Sequence, residues 1–295
     1  MYTDNRIISV NSKYAQLKNG TLKSDVVFNF KGIVKDDDNI IQKYITIIDA
    51  QIPVSFYTIN STNKVLTVIL GANTYTLNIT NGNYNATSLI TELKTKIATI
   101  PGLTATIVIN KSTGKLTFTF SSSVQLVYAT STLASILGLT SNLTGTIITL
   151  QQPLNLLGIK KLNIKSNSLQ VSNFSSENLG NASILLSIPN NEAQFNMISF
   201  TNQNSLNNCV LNADIVDVID IQIVDETNTL IDFNNQDWSM TLGISIERER
   251  RVKFDHNLIN AIQSGVKDEI DILPPQKEVD PELQLLESEP RFRTS

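Results

Sequence analysis

A chain of 295 residues with 41% hydrophobic and 17% charged residues is long enough to bury a large core and too apolar to be disordered throughout. Its net charge of −4 argues against a general attraction to nucleic acid, and its single cysteine excludes an intrachain disulfide framework. Since it lacks a signal-peptide pattern and any apolar run of about 18 residues, we expect a soluble protein without a membrane span, made in a cytoplasm.

The first sixty residues predict an arm followed by two strands. Residues 1–20 are polar without a sustained period and are interpreted as an N-terminal arm or an ordered extension. Residues 25–34 (DVVFNFKGIV) predict a strand, and residues 41–52 (IQKYITIIDAQI) predict another. The second is apolar on both faces in its middle, which is typical of a strand that is central in its sheet or covered on both sides. Pro53 interrupts it before SFYTIN resumes the pattern.

Residues 61–146 have a different organisation, in which hairpins alternate with helical segments. The helix has apolar residues at spacings of three and four, with Asn85 as its N-cap and Pro101-Gly102 as its stop. A second, shorter helix ends at Gly138. The predicted elements are, in order, a hairpin of 65–70 and 74–79, a helix over 86–100, a hairpin of 103–109 and 115–120, and a helix over 131–137. This pattern predicts a small α+β domain inserted into the chain.

Strands return after Thr146 and end in the clearest amphipathic strand of the chain. The predicted segments are 147–150, 159–164, 168–171, 184–188, 195–200 and 217–224. In the closing strand, 238–247, strict alternation places one set of side chains on a buried face. This predicted core face consists of Trp238, Met240, Leu242, Ile244 and Ile246. With the two strands before the insert, these segments suffice for an eight-stranded sandwich.

The tail, 249–295, begins with basic residues and becomes acidic and rich in proline, which forbids a long helix or strand there. Between the basic start and the proline-rich part lies a short helix-like piece at 258–262, and we expect the proline-rich part, 268–295, to be extended or disordered when alone. The basic residues around its start are Arg248, at the end of the last strand, and Arg250, Arg251 and Lys253. They are either a solvated stretch leaving the last strand or a contact with packaged genome or an acidic subunit surface.

The sequence offers little for catalysis, so we predict no enzyme, no cofactor and no metal site. One histidine, His256, and one cysteine, Cys209, cannot form a zinc site alone, and phosphate-binding glycine motifs are absent. Acidic residues cluster in two places, but both are interpreted as solvated, with Asp220 on the wetted face of a strand. These clusters are Asp36-Asp37-Asp38 and Asp214, Asp217, Asp220 and Asp225.

Two motifs resemble one family of viral proteins. Residues 50–60 (AQIPVSFYTIN) and 217–247, whose closing strand contains DWSMTLGISI, together with the insert, resemble the penton, or vertex, proteins of virophages and Polinton-like viruses. The resemblance implies a mainly β protein, a single jelly-roll sandwich with an inserted small α+β domain. It places the jelly roll in 21–60 plus 147–248, the insert in 61–146 and the tail in 249–295.

The function implied by this resemblance is structural. It predicts a minor capsid protein of the virion that forms homopentamers at the five-fold vertices. Its neighbours would be the double jelly-roll capsomers of the major capsid protein, with the tail near the capsid interior or the genome. Two alternatives stay open, a receptor-binding or fibre/baseplate protein and a lectin-like carbohydrate-binding jelly roll, because fold alone does not decide function.

Overall fold

The computed structural model describes residues 2–34, 39–171, 173–175, 180–203, 208–213 and 215–249. This part of the chain is mainly β, as the composition and alternation predict, and its sheets are antiparallel. Its longest helix has 12 residues. None of the helices described is long and apolar enough to span a membrane.

Two facing sheets form a sandwich. The strands of the first sheet are β1 (Tyr2–Asn11), β4 (Ile40–Pro53), β14 (Met197–Thr201), β15 (Cys209–Val210) and β17 (Ser239–Arg248). Those of the second are β2 (Gln16–Leu17), β3 (Asp25–Val34), β10 (Lys161–Lys165), β13 (Ile184–Pro189) and β16 (Val216–Val224). A separate two-stranded ribbon pairs β11 (Asn173–Ser175) with β12 (Gly180–Ala182). Apolar side chains from both sheets meet in one core between them.

The order of the strands is that of a jelly roll. The first sheet runs β1-β17-β4-β14, and the second runs β13-β10-β16-β3 with β2 at its edge. The eight main strands of the sandwich are β1, β3, β4, β10, β13, β14, β16 and β17. When these are numbered one to eight in chain order, the first sheet is 1-8-3-6 and the second is 5-4-7-2. This is two interlocked Greek keys, which defines the jelly-roll sandwich. The fold class expected from the sequence is therefore correct.

The first strand of the sandwich lies where the sequence predicts an arm. Residues 2–11 pair along their whole length with β17, from Tyr2 opposite Arg248 to Asn11 opposite Ser239. Only Ile8 and Val10 of this strand are buried, because it lies at the edge of the sheet. Of the two interpretations of residues 1–20, the ordered extension fits 2–11, which form a strand of the sandwich and not a separate arm. The sequence did not predict this strand, because so short an apolar pattern is too weak to signal an edge strand.

A second core belongs to the insert. Its sheet runs β6-β5-β8-β7, with β9 also paired to β8. The elements are β5 (Val65–Leu70), β6 (Asn73–Asn78), α1 (Ala86–Ile97), β7 (Ala105–Ile109), β8 (Leu116–Val127), α2 (Ala134–Leu137) and β9 (Leu143–Thr149). The predicted sandwich strand 147–150 is thus part of the insert, because Ile148 and Leu150 pack in this second core. The core extends to Leu156, beyond the expected boundary at residue 146.

Local sequence signals determine where the two helices of the insert begin and end. The Asn85 side-chain oxygen accepts a hydrogen bond from the amide of Ser88, and the Ser88 hydroxyl accepts one from the amide of Asn85, which is a capping box. Gly138 ends α2 at a φ of 87°, and a β-carbon there would lie 2.2 Å from the carbonyl oxygen of Gln152. Glycine at this position therefore permits both the left-handed turn and the close backbone approach.

Candidate assembly site

Four connections of the sandwich meet at one end, here called the loop end. They are 12–24, the insert with its flanks (54–160), 190–196 and 225–238. Backbone hydrogen bonds tie them together, such as Val54 N to Asn196 O at 2.9 Å and Asn190 N to Lys160 O at 2.8 Å. The insert therefore leaves the sandwich beside three other loops. The opposite end of β17 is Arg248.

Trp238 connects two of these loops from inside the core. Its indole nitrogen donates to the carbonyl of Lys23 at 2.7 Å, and its ring meets Phe28 edge-on at 6.2 Å. Next to it, the Asp237 carboxylate accepts from Lys23 Nζ at 2.7 Å and from Ser12 Oγ at 3.0 Å, and the Lys23 bond lowers the pKa of Asp237. Since Trp238 is 1% exposed, it is not available as a stacking platform for a ligand.

The first segment of the insert is braced against the 225–238 loop. Ser55 Oγ donates to the carbonyl of Phe233 at 2.6 Å, and Asn234 Nδ2 donates to the carbonyl of Ser55 at 2.5 Å. The rings of Phe56 and Phe233 pack edge-on at 6.3 Å. These contacts fix the direction in which the chain enters the insert.

Asp220 is buried, contrary to its expected position on a wetted face. One carboxylate oxygen accepts from Ser166 Oγ at 2.9 Å and from the amides of Asn167 at 2.9 Å and Ser168 at 2.8 Å. The other oxygen pairs with Lys18 Nζ at 3.1 Å. The turn at 166–169, part of which was predicted as strand 168–171, covers this position and supplies its donors. The carboxylate therefore organises a turn.

The two lateral sides of the sandwich differ in shape. On the side of β13 and β14, Phe195 and Met197 project into solvent, with exposed fractions of 82% and 45%. On the side of β1 and β3, a cleft of about 660 Å³ opens between the two sheet edges. Apolar and aromatic side chains contribute to its lining, among them Val10, Tyr14, Phe28, Phe30 and Met240. One side thus carries a projection and the other a depression.

The structure places the remaining predicted residues as follows. The five residues of the predicted core face, from Trp238 to Ile246, are all buried. Arg248 is half-buried at the end of β17, whereas Arg250, Arg251 and Lys253 lie outside the described residues, as do His256 and Asp36 to Asp38. Cys209 is buried and its thiol contacts the carbonyl of Leu185 at 3.6 Å. Among the described residues, no three potential metal ligands form a group.

Phe195 is the surface residue that sequence reasoning misplaced. The pattern includes it in a predicted strand, 195–200, but β14 begins at Met197 and Phe195 adopts a φ of 68° in the preceding loop. The run Asn190-Asn191 before it indicates a turn. Nothing in the sequence indicates that the phenyl ring points outward.

Comparison with known proteins gives structural matches only. No family model matches the chain, and no curated protein matches its sequence. A crystal structure of the mavirus penton protein is similar at a TM-score of 0.44 and 13% identity, covering 82% of this chain and all of that one. A cryo-electron-microscopy structure of the Sputnik virophage is similar at a TM-score of 0.39 and 12% identity, covering 83% and 98% of the two chains. Because both scores lie below 0.5, the fold assignment rests on the strand order of this chain.

Proposed function

We propose that this chain is a structural capsid protein of a virion and forms the homopentameric penton at the five-fold vertices. The observation that carries the proposal is the complete jelly-roll strand order with an α+β domain inserted at the loop end. The penton-like motifs at 50–60 and 237–246 lie on adjacent central strands, β4 and β17, and in the segment that leads into the insert.

Assembly requires two different surfaces on each copy. In a closed ring, the side of one copy contacts the opposite side of the next, so the interface is heterologous. The sandwich offers such a pair of sides, one formed by β1 and β3 and the other by β13 and β14. Five sandwiches joined in this way close around a five-fold axis.

The direction of the strands suggests how the penton is oriented. The insert leaves from the loop end, whereas β17 ends with Arg248 at the other end, opposite Tyr2 and Ile40. We infer that the insert forms an outward protrusion and that the tail, starting from the opposite end, reaches the major capsid protein, the capsid interior or the genome. The basic residues at the start of the tail suit contacts with phosphate or carboxylate groups.

Electron microscopy of the purified full-length protein tests the proposal. We expect five-fold rings with five peripheral or axial protrusions. Three-fold particles would instead support a fibre or receptor-binding protein, and monomers that bind glycans would support a lectin-like module. Either result would overturn the penton assignment.

A further inference from the structure

Phe195 is held in an unfavourable backbone conformation while its side chain is largely in solvent. Its φ of 68° belongs to the left-handed region, which bulky residues rarely adopt. Two hydrogen bonds hold the loop to the strand before the insert, from Phe195 N to Val54 O at 2.9 Å and from Val54 N to Asn196 O at 2.9 Å. Strained residues of this kind cluster at functional sites. We call Phe195 and Met197 together the apolar knob.

The cleft on the opposite side of the sandwich lies near the same loop end, because its lining includes Asn11 and Ser239 at the loop-end termini of β1 and β17. Asn11, Ser239, Gln51 and Ser199 form one row of paired residues across the first sheet, from β1 to β14. The cleft residues Val10 and Met240 adjoin this row at one edge, and Met197 lies two residues beyond it at the other. Knob and cleft therefore both lie towards the loop end, with Met197 three pair positions nearer to it than Val10 and Met240. Neighbouring copies of a ring would bring these two loop-end regions together.

The cleft suits an aromatic guest. Its volume of about 660 Å³ falls in the range of roughly 300–1,000 Å³ that is typical of ligand sites, which leaves room for a phenyl ring and a methionine side chain. Tyr14 at the cleft is 80% exposed, and the rings of Phe28 and Phe30 stack at 6.2 Å. Phe28 is itself buried, so the ring surface open to a guest belongs to Tyr14 and the partly buried Phe30. Aromatic pairs contribute binding free energy beyond their buried area.

The charges around the two features are complementary. The segment with the knob, 189–201, contains one charged residue, Glu192, and the segment beside the cleft, 12–24, contains three lysines and no acid. Lys18 and Lys23 pair with Asp220 and Asp237, whereas Lys13 is exposed and lies 5.8 Å from the Tyr14 ring centre. The lining also includes one acid, Asp49. Of the three lysines, Lys13 is best placed to meet Glu192, because Lys18 and Lys23 already pair within the chain.

We infer that the apolar knob of one copy docks into the β1–β3 cleft of the next copy, with Glu192 facing Lys13. This inference rests on the proposed ring and names the contact that closes it. Knob and cleft lie on opposite edges of one sheet, which is the arrangement that a repeating head-to-tail contact requires. Buried aromatic residues at the centre of an interface carry a large share of binding free energy.

The first test separates association from folding. Phe195→Gly removes the ring and also the backbone strain, so the variant should unfold at the same or a higher temperature yet associate about tenfold or more weakly. Association is measured by sedimentation velocity and mass photometry of the full-length protein. Ile147→Ala, which trims another exposed apolar residue on the insert sheet, is the control and should leave association unchanged.

The second test exchanges the charges. Lys13→Glu and Glu192→Lys should each weaken association, and the double variant should recover most of it, because the pair is restored with reversed signs. Thermal unfolding of each variant shows whether the monomer itself has changed.

The outcomes distinguish this inference from the proposed function. If the wild-type protein forms five-fold rings and the Phe195→Gly variant forms them equally well, the docking contact is wrong and the penton assignment stands. Failure of the double charge variant to recover also rejects the contact. If the wild-type protein forms no rings, both the contact and the penton assignment are wrong.

Discussion

Replacing Asp220 by asparagine tests the most unusual polar group in the sandwich. The carboxylate is 4% exposed, and one of its oxygens receives three hydrogen bonds from the 166–168 turn. Asparagine has nearly the same shape and keeps one acceptor oxygen for these donors. Its amide group, however, would face Lys18 Nζ, and two donors cannot bond to each other.

The expected cost follows from the strength of these bonds. Hydrogen bonds to a charged acceptor contribute about 1.5–3 kcal/mol each and neutral ones about 0.5–1.5, so Asp220→Asn should lower the free energy of unfolding by roughly 1–3 kcal/mol after relaxation of the turn. Lys18→Ala should cost about 1 kcal/mol or less, because its side chain is 39% exposed and its ion pair is screened by solvent. Asp220→Ala, which leaves all three donors without their acceptor, should cost more than either.

The effect should depend on pH in one direction. Burial raises the pKa of Asp220, but hydrogen bonds from Ser168 and Ser166, with Lys18, outweigh it and lower the pKa below its usual value. A lowered pKa in the folded state means that the stabilisation is complete above the pKa of the unfolded chain and is lost as the pH falls through the folded pKa. The difference between wild type and Asp220→Asn should therefore be constant near neutral pH and shrink below about pH 4.

Urea unfolding from about pH 7 down to about pH 3, followed by fluorescence of Trp238, measures this difference. Asp232→Asn is the control, because Asp232 is exposed and accepts from the amide of Asn234 at 2.9 Å. It should change the free energy of unfolding by less than about 0.5 kcal/mol at any pH. A difference for Asp220→Asn that stays the same at acid and neutral pH would show that its charge does not stabilise the fold.

Three further predictions concern the core, the insert and the tail. Leu242→Ala should lower the free energy of unfolding, measured by urea titration, by about 2–5 kcal/mol, because Leu242 is buried. Thr241→Ala on the outer face should lower it by far less. Equal losses of unfolding free energy in the two variants would contradict the register of β17. Joining Thr58 directly to Gly158 should leave a soluble sandwich that unfolds cooperatively by circular dichroism, and loss of cooperative β structure would contradict the separate core of the insert. A chain ending at Glu249 should fold and form rings but fail to enter particles co-expressed with the major capsid protein. Reversal of the charges of Arg250 and Arg251 should also weaken incorporation, in a way that depends on salt concentration. Normal incorporation of the truncated chain would reject the tail contact.

Strong local patterns made much of the fold predictable. The alternation in 238–247 places five residues on a buried face, and β17 has this face in the core. The doubly apolar stretch of 41–52 corresponds to β4, which lies between β17 and β14 in the sheet. The capping box at Asn85 depends on residues three apart in sequence. In each case the signal is contained within one element, so no knowledge of its neighbours is needed.

The predictions from sequence failed for strands and side chains whose position depends on which distant segment they pair or pack with. β9 and β1 each have a short apolar pattern, which fits any half-covered strand, and only pairing with β8 or β17 assigns them to the insert or the sandwich. Asp220 alternates like a surface residue within β16, but a turn from a distant part of the chain covers it. Periodicity identifies a face without identifying what packs against it.

The position of the insert explains why the sandwich remained recognisable on both sides of it. A β-carbon built on Gly158 would lie 3.3 Å from Thr58 Oγ1, so the two ends of the insert nearly touch. A connection whose ends already meet can be lengthened at a small cost in loop-closure entropy, since that cost grows only with the logarithm of loop length. The strands on either side keep their partners, and β4 still pairs with β17 across the whole sandwich. The insert can therefore vary in surface and size without changing the lateral edges of the sandwich. The surface proposed for outward display is thus separate from the surfaces proposed for ring closure.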